Sequence, residues 1–112
     1  VTTLLLSQLL VPNSVRILRG NHETKQMTNA YGFEKEVQGK YDPQLMNKFR
    51  TFFGTLPIAA VIEDLVFVTH GGIGQTVVSM TMSDIDKIDR FKPEPDENAM
   101  LELLWSGTSI IH

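Results

Sequence analysis

Cysteine is absent from the 112 residues of the chain. Its absence excludes a disulfide scaffold, a thiolate metal site and a cysteine nucleophile. It is compatible with a reducing compartment, so we expect a cytoplasmic or nuclear protein. Basic residues are not in excess either, because 10 Lys and Arg are outnumbered by 13 Asp and Glu, which gives a net charge of -3. Nucleic acids bind to basic surfaces, and we therefore expect no nucleic-acid partner.

Long hydrophobic runs are also missing. The apolar stretch at 4–11 is far shorter than the ~20 residues that a membrane span requires. No basic residue precedes it and no small-residue cleavage site follows it, which argues against a signal peptide. We expect no membrane partner, and we predict that the stretch is the end of a buried helix stopped by Pro12 and Asn13. Because the chain begins with Val1 rather than Met, we expect it to be processed or partial.

The remaining composition is that of a folded protein, with 42% hydrophobic and 21% charged residues. Apolar periodicity and turn residues predict a mixture of helices and strands. The predicted elements are a strand at 15–18, helices at 24–31, 33–41 and 43–54, hairpin strands at 58–62 and 65–69, a short helix from Ser83 to Asp89, and a helix at 99–105. Asp42-Pro43 is a strong helix start, and Ser83 is the predicted cap of the short helix.

Polar residues that can bind metals follow two of the predicted strands. Gly20 lets the backbone turn sharply, so that Asn21 and His22 can point away from the strand end. His70 follows the second hairpin strand directly. An Asn oxygen and a His imidazole are both ligands of divalent metals such as Mn, Fe or Zn. Glu23 is predicted to open the next helix, where the helix dipole favours an acid.

Each of these residues also fits a purely structural role. An Asn-His pair in a loop commonly hydrogen-bonds to the backbone, and His70 fits a satisfied histidine at a strand end. Arg19 fits a simple ion pair with an acid. The residues taken one at a time therefore do not decide between a site and a stable loop.

Several segments, taken in chain order, carry more information than any one alone. They are Leu18 to Glu23 (LRGNHE), Tyr31 to Glu34 (YGFE), Leu56-Pro57, Thr69 to Gly72 (THGG) and Leu103 to Ser106 (LLWS). Together they resemble the phosphoprotein phosphatase family of serine/threonine phosphatases, over about 11–106. The segments at 31–37 and 84–90 are most similar to the type 5 members, with the EF-hand-linked phosphatases second.

The resemblance implies an α/β protein: a fragment of the calcineurin-like metallophosphoesterase fold, in which helices flank a central β-sandwich. It implies hydrolysis of phosphoserine and phosphothreonine with two divalent metal ions, which are Mn, Fe or Zn. Asn21 matches a ligand of the second metal and a contact of the phosphate, and His70 matches a histidine ligand of that metal. His22 matches the general acid that protonates the leaving oxygen. Arg19 and Glu23 match the motif in supporting roles.

The departures from the family pattern are as informative as the matches. The upstream motifs GDxHG and GDxxDRG are absent, and no Asp or Glu precedes Glu23, so the aspartate that bridges the two metals is missing. After Ser106 the family continues with Asp-Pro, whereas this chain has Gly107-Thr108 and ends in His112. We do not assign His112 as a ligand. Gly74-Gln75 replaces the Ser-Pro that many members carry after the HGG motif.

We therefore expect residues 1–106 to be the middle part of a phosphatase catalytic domain and 107–112 to be a divergent tail. The full-length parent is expected to be an enzyme that acts on phosphoprotein substrates, with regulatory subunits or appended domains as further partners. The isolated chain is expected to be inactive. The alternatives are a truncated, non-catalytic binding module or pseudo-phosphatase, and another metallophosphoesterase such as a nucleotidase.

Overall fold

The structure is a computed structural model that describes residues 1–107. Most of the predicted divergent tail, including His112, lies outside the described residues. The elements in chain order are helices α1 (Thr2–Leu10), α2 (Lys25–Ala30), α3 (Phe33–Lys40) and α4 (Pro43–Thr55), strands β1 (Ala59–Ile62) and β2 (Val66–Thr69), and helices α5 (Gln75–Val78), α6 (Met82–Asp86) and α7 (Asn98–Trp105). No helix within residues 1–107 is long and apolar enough to cross a bilayer.

Helices α2 to α4 form a layer whose boundaries follow from local sequence. Asp42 caps α4 by accepting a hydrogen bond from the Gln44 amide at 2.9 Å, and Pro43 is the first helical residue, as predicted. Thr24 caps α2 in the same way. Between α2 and α3, Gly32 has φ of 81°, a left-handed conformation that glycine adopts at low cost. These three helices therefore confirm the predicted succession.

The phenylalanine stripe of α4 packs within this helical layer. The Phe33 ring contacts Phe49 edge to face at a centroid distance of 5.3 Å, and Phe53 lies 5.9 Å from Phe49. Phe53 and Met46 are buried. The apolar face predicted from spacings of three and four residues is therefore a packed face, and it holds α3 against α4.

Strands β1 and β2 form the predicted antiparallel hairpin, in which Ala59 lies opposite Thr69 and Ile62 opposite Val66. Glu63 and Asp64 both have positive φ, at 53° and 55°. Gly, Asn and Asp adopt this conformation more easily than other residues, so the cost of about 1–2 kcal/mol falls mainly on Glu63. The hairpin therefore forms despite its turn. These are the strands that the described residues contribute to the predicted β-sandwich.

A second apolar core lies between the hairpin and α5, α6 and α7. Its members are buried aliphatic side chains, and they are Ile58, Val77, Ile85, Ile88, Ala99, Met100, Leu103 and Leu104. Met100 and Leu103 have no exposed surface. Helix α7 is therefore central to this core, and the loops that follow β2 rest on it.

Three predictions about secondary structure and burial were wrong. Residues 15–18 form no strand: the Val15 amide donates to the Val11 oxygen of the preceding turn, and only the following residue, Arg19, bonds towards the hairpin, through its amide to the Pro57 oxygen. The cap of α6 is Thr81 rather than Ser83, because Thr81 and Asp84 exchange hydrogen bonds in a complete capping box. Helix α1 has no buried residue, and Leu9 and Leu10 are more than three quarters exposed. The four-residue helix α5 had not been predicted.

Candidate metal and catalytic site

The loop after segment 15–18 is closed by its own hydrogen bonds. The Gly20 amide donates to Glu23 Oε2 at 2.9 Å, and the Glu23 amide donates to the Gly20 oxygen at 3.2 Å. A Cβ at Gly20 would lie 2.7 Å from Glu23 Oε2 and 3.2 Å from the His70 ring, so a side chain here would displace the Glu23 carboxylate. Helix α2 begins at Lys25, and the prediction that Glu23 opens it was therefore wrong. Glu23 closes the loop instead.

Arg19 is the most deeply buried charged side chain of the described residues, at 1% exposure. Its guanidinium donates to three backbone oxygens, those of Glu23 at 2.9 Å, Arg90 at 2.7 Å and Lys92 at 3.0 Å. Burial lowers the pKa of Arg19, and the charges of Glu23 and Glu94 oppose that effect. Arg19 thus ties the 19–23 loop to the chain at 90–92 by hydrogen bonds to carbonyls, rather than by the simple ion pair that was the alternative.

Asn21 and His70, 49 residues apart in sequence, meet at the surface. The distance from Asn21 Oδ1 to His70 Nε2 is 3.0 Å. Asn21 is half-buried, and His70 is exposed at the end of β2. The structure therefore brings together the two residues predicted to bind the same metal.

An amide oxygen and an imidazole nitrogen are both donors that divalent cations accept. Such ligands lie about 2.1 Å from Zn, and the tetrahedral geometry of most zinc sites separates two of them by about 3.4 Å. The 3.0 Å between Asn21 Oδ1 and His70 Nε2 is close to that value and is also the length of a direct hydrogen bond, which an ion held between the two atoms would replace. Both donors are neutral, however, and within residues 1–107 no group of three or more His, Asp or Glu is placed to hold an ion. The pair fits part of a metal site and lacks its carboxylates.

His22 lies next to Asn21 in the loop but faces a different neighbour. Its exposed ring packs on Tyr31 with the centroids 4.5 Å apart and the planes tilted by 34°. Tyr31 was not predicted as a site residue, although it belongs to the YGFE segment singled out from the sequence. Only its position directly after α2, which ends at Ala30, could have suggested the contact.

Hydrogen bonds to α7 hold the backbone on both sides of His70. This contact was not predicted from the sequence. Thr69 Oγ1 donates to the Leu103 oxygen at 2.9 Å, and the Gly71 amide donates to the same oxygen at 2.7 Å. The LLWS segment therefore acts beneath the site, through its backbone, rather than as a set of reacting groups.

Comparisons with known proteins agree with this geometry. The family model described as calcineurin-like phosphoesterase matches residues 1–112. "Serine/threonine-protein phosphatase 5" of Arabidopsis thaliana is 44% identical over 106 residues, which cover 95% of this chain and 20% of that protein. The protein of the same name from Homo sapiens is 42% identical over 106 residues, covering 95% of this chain and 21% of its own length.

A solved structure is similar as well. It is that of a protein serine/threonine phosphatase from Saccharomyces cerevisiae with similarity to human phosphatase PP5. It is 40% identical with a TM-score of 0.84, and the match covers 91% of this chain and 32% of that one. The chain spans about a fifth of the length of the curated relatives it matches. The predicted resemblance to serine/threonine phosphatases, type 5 members among them, and the predicted fold are confirmed, and the chain belongs to the calcineurin-like phosphoesterase family.

Proposed function

We propose that the complete protein containing this chain is a serine/threonine phosphoprotein phosphatase, and that residues 1–106 are the middle part of its catalytic domain. The observation that carries the proposal is the 3.0 Å separation between Asn21 Oδ1 and His70 Nε2. Two sequence motifs supply these atoms, and the similar proteins are named serine/threonine phosphatases.

Each site residue has a role that its chemistry supports. Asn21 and His70 would hold the second of two divalent metal ions, which are Mn, Fe or Zn, and the Asn21 amide would also contact the phosphate. When bound, such ions lower the pKa of a water molecule and stabilise the charge that develops on the phosphoryl oxygens. His22 would protonate the leaving oxygen of serine or threonine, a step for which an exposed imidazole is suited. Its position in the loop is limited on one side by the Tyr31 ring.

Arg19 and Glu23 support this arrangement without touching substrate. Glu23 holds the Gly20 amide, and Arg19 holds the Glu23 oxygen, so that the backbone carrying Asn21 and His22 is fixed at both ends. A loop with few rotatable bonds left loses less entropy when a substrate is positioned. We infer phosphoprotein substrates, regulatory subunits or appended domains as partners, and a cytoplasmic or nuclear location.

A chimera tests the function without any assumption about flanking sequence. Residues 1–106 replace the aligned segment of the Arabidopsis phosphatase, and turnover of p-nitrophenyl phosphate and of a phosphoserine peptide is measured with Mn²⁺. We expect activity in the chimera and a loss of about 100-fold or more in His22→Asn, since general acid catalysis contributes about 10²–10⁴-fold. The matched control is Gln26→Asn, a change of an exposed side chain on α2. A folded chimera without turnover, or with His22→Asn at full activity, contradicts the proposal.

The isolated chain is expected to bind metal weakly and to turn over no substrate. Two neutral donors without a bridging carboxylate do not assemble a metal pair. This shortage favours a second candidate for the chain by itself, a non-catalytic binding module or pseudo-phosphatase. Metal-dependent turnover by the purified chain, abolished in His22→Ala, would reject that candidate. Hydrolysis of nucleotides in preference to phosphopeptides would instead favour another metallophosphoesterase.

A further inference from the structure

The loop that follows His70 is attached to one turn of α7 at both of its ends. At its start, the amide of Gly71 donates to the Leu103 oxygen at 2.7 Å. A Cβ on Gly71 would lie 2.6 Å from the Leu104 carbonyl carbon and the Trp105 nitrogen, so the two backbones are in direct contact. The start of the loop is therefore fixed without any side chain of its own.

The end of the loop is held by the carboxylate of Glu102. Its Oε1 accepts hydrogen bonds from the Thr76 amide at 3.0 Å and from Thr76 Oγ1 at 2.8 Å, and its Oε2 accepts one from the Val77 amide at 2.9 Å. These amides open α5 and have no partner within that helix. Side chains normally satisfy such amides from the residue at the N-cap. Here a side chain from another helix satisfies them.

Gly74, the N-cap residue of α5, leaves the space that Glu102 fills. A Cβ at Gly74 would lie 2.6 Å from both Cγ and Oε2 of Glu102. A side chain at position 74 and the carboxylate of Glu102 therefore compete for one place. With Gly74-Gln75 in place of Ser-Pro, the chain lacks a local side-chain cap for α5. The hydrogen bond from the Val77 amide lowers the pKa of Glu102, and those from Thr76 act in the same direction.

We propose that Glu102 is a positioning residue for His70, which it holds by capping α5 from α7. This inference rests on the proposed role of His70 as a metal ligand. The loop 71–74 contains three glycines, Gly71, Gly72 and Gly74, and glycine loses the most conformational freedom on ordering. With the α5 end released, the backbone around His70 keeps the pairing of Thr69 with Ala59 and the bonds to the Leu103 oxygen, but the glycines after position 71 lose their second attachment.

The test uses the protein that the gene encodes, with Mn²⁺ as the probe. Glu102→Gln keeps the shape but offers an NH₂ group where an oxygen accepted from an amide. We expect its Mn²⁺ dissociation constant to rise roughly tenfold, the low end of what residues supporting a ligand contribute. Amide hydrogen exchange at Thr76 and Val77 is expected to accelerate. Glu97→Gln, which neutralises an exposed acid at the N-cap of α7, is the matched control and is expected to bind Mn²⁺ as the wild type does.

The effect of Gly74→Ser on Mn²⁺ affinity should change sign between the wild type and Glu102→Ala, and this change separates positioning from general destabilisation. Gly74→Ser alone is expected to weaken Mn²⁺ binding, because the new side chain meets Glu102. In the Glu102→Ala background the same change is expected to restore binding and exchange protection, because serine then caps α5 locally. Failure of Gly74→Ser to restore either property, or unchanged Mn²⁺ affinity in Glu102→Gln, overturns the inference.

Neither measurement uses a substrate, which keeps the two proposals distinguishable. If the wild type binds Mn²⁺ and follows the sign reversal but hydrolyses no phosphoprotein, the positioning role stands and the phosphatase proposal fails. If the wild type binds no Mn²⁺, the proposed ligand role of His70 fails. The exchange rates and the width of the His70 Cε1–H NMR signal then decide whether Glu102 orders the loop.

Discussion

Replacement of Arg19 by methionine gives the most direct test of how the 19–23 loop is held. Methionine matches much of the length of arginine but donates no hydrogen bond. The change would leave three backbone oxygens, those of Glu23, Arg90 and Lys92, without their donor. An unsatisfied buried polar group costs about 1–3 kcal/mol. Because these bonds are only partly buried, water can reach some of the oxygens, and the low end of the range applies.

The expected loss for Arg19→Met is therefore about 3 kcal/mol of unfolding free energy, near 1 kcal/mol for each oxygen. Burial disfavours the charged form of the guanidinium and so lowers the pKa of Arg19. This cost offsets part of what the three hydrogen bonds contribute, which is a second reason for the low end of the range. Arg19→Lys keeps the charge but not the planar fork, and about half of that loss is expected for it.

The assay is denaturant unfolding of the encoded protein, followed by circular dichroism, with hydrogen exchange at the Arg19 and Glu23 amides as the local measure. Arg16→Met is the matched control, because Arg16 precedes Arg19 by three residues and its side chain is exposed. Its expected effect is below about 0.5 kcal/mol. The reasoning is refuted if Arg19→Met and Arg16→Met unfold at the same denaturant concentration, or if exchange at Glu23 does not change.

Two further predictions concern the helices around the second core. Thr81→Ala is expected to lower stability by about 1 kcal/mol through loss of the α6 cap, whereas Ser83→Ala should change it little; equal unfolding midpoints for the two variants would contradict the observed capping box. Glu102 has a folded pKa below its usual value, so its stabilising effect is present above the unfolded pKa and is lost as pH falls through the folded one. Unfolding midpoints between pH 7 and pH 3 should therefore depend less on pH in Glu102→Gln, and parallel profiles for the two proteins would argue against this.

Local sequence was sufficient to predict α2, α3 and α4, because caps and glycines mark their ends. Asp42-Pro43 and Gly32 do so through backbone conformation that few other residues adopt as easily. The strand predicted at 15–18 failed for the opposite reason. An apolar, β-branched run favours extended backbone, but a strand also requires a partner, and none pairs with it in the described chain.

The candidate site, too, was only partly predictable from the sequence. Asn21 and His70 could be predicted because their motifs are contiguous in sequence. Supporting roles for Arg19 and Glu23 were also predicted, but the partners of Arg19 and the role of Glu102 could not be. Arg19 bonds to the chain 71 and 73 residues away, and Glu102 reaches 26 residues back to Thr76. Every residue has a backbone oxygen, so the residue types at positions 90 and 92 did not indicate that these oxygens accept hydrogen bonds from Arg19. The absence of a serine at position 74 was the one visible sign that a cap had to come from elsewhere.

The long-range bonds of Arg19 also have a consequence for synthesis of the chain. The loop that carries Asn21 is complete only once Lys92 is available, and the backbone beside His70 only once Leu103 is. Ribosomes add about 5–20 residues per second, so several seconds separate the translation of Asn21 from that of its last support. Until then the hairpin and α1 expose apolar side chains while the hydrogen bonds that complete the site are still missing. In a nascent chain arrested before Leu103 has left the ribosome, Asn21 and His70 should therefore stay apart. In a chain arrested after Leu103 has emerged, the two residues should meet.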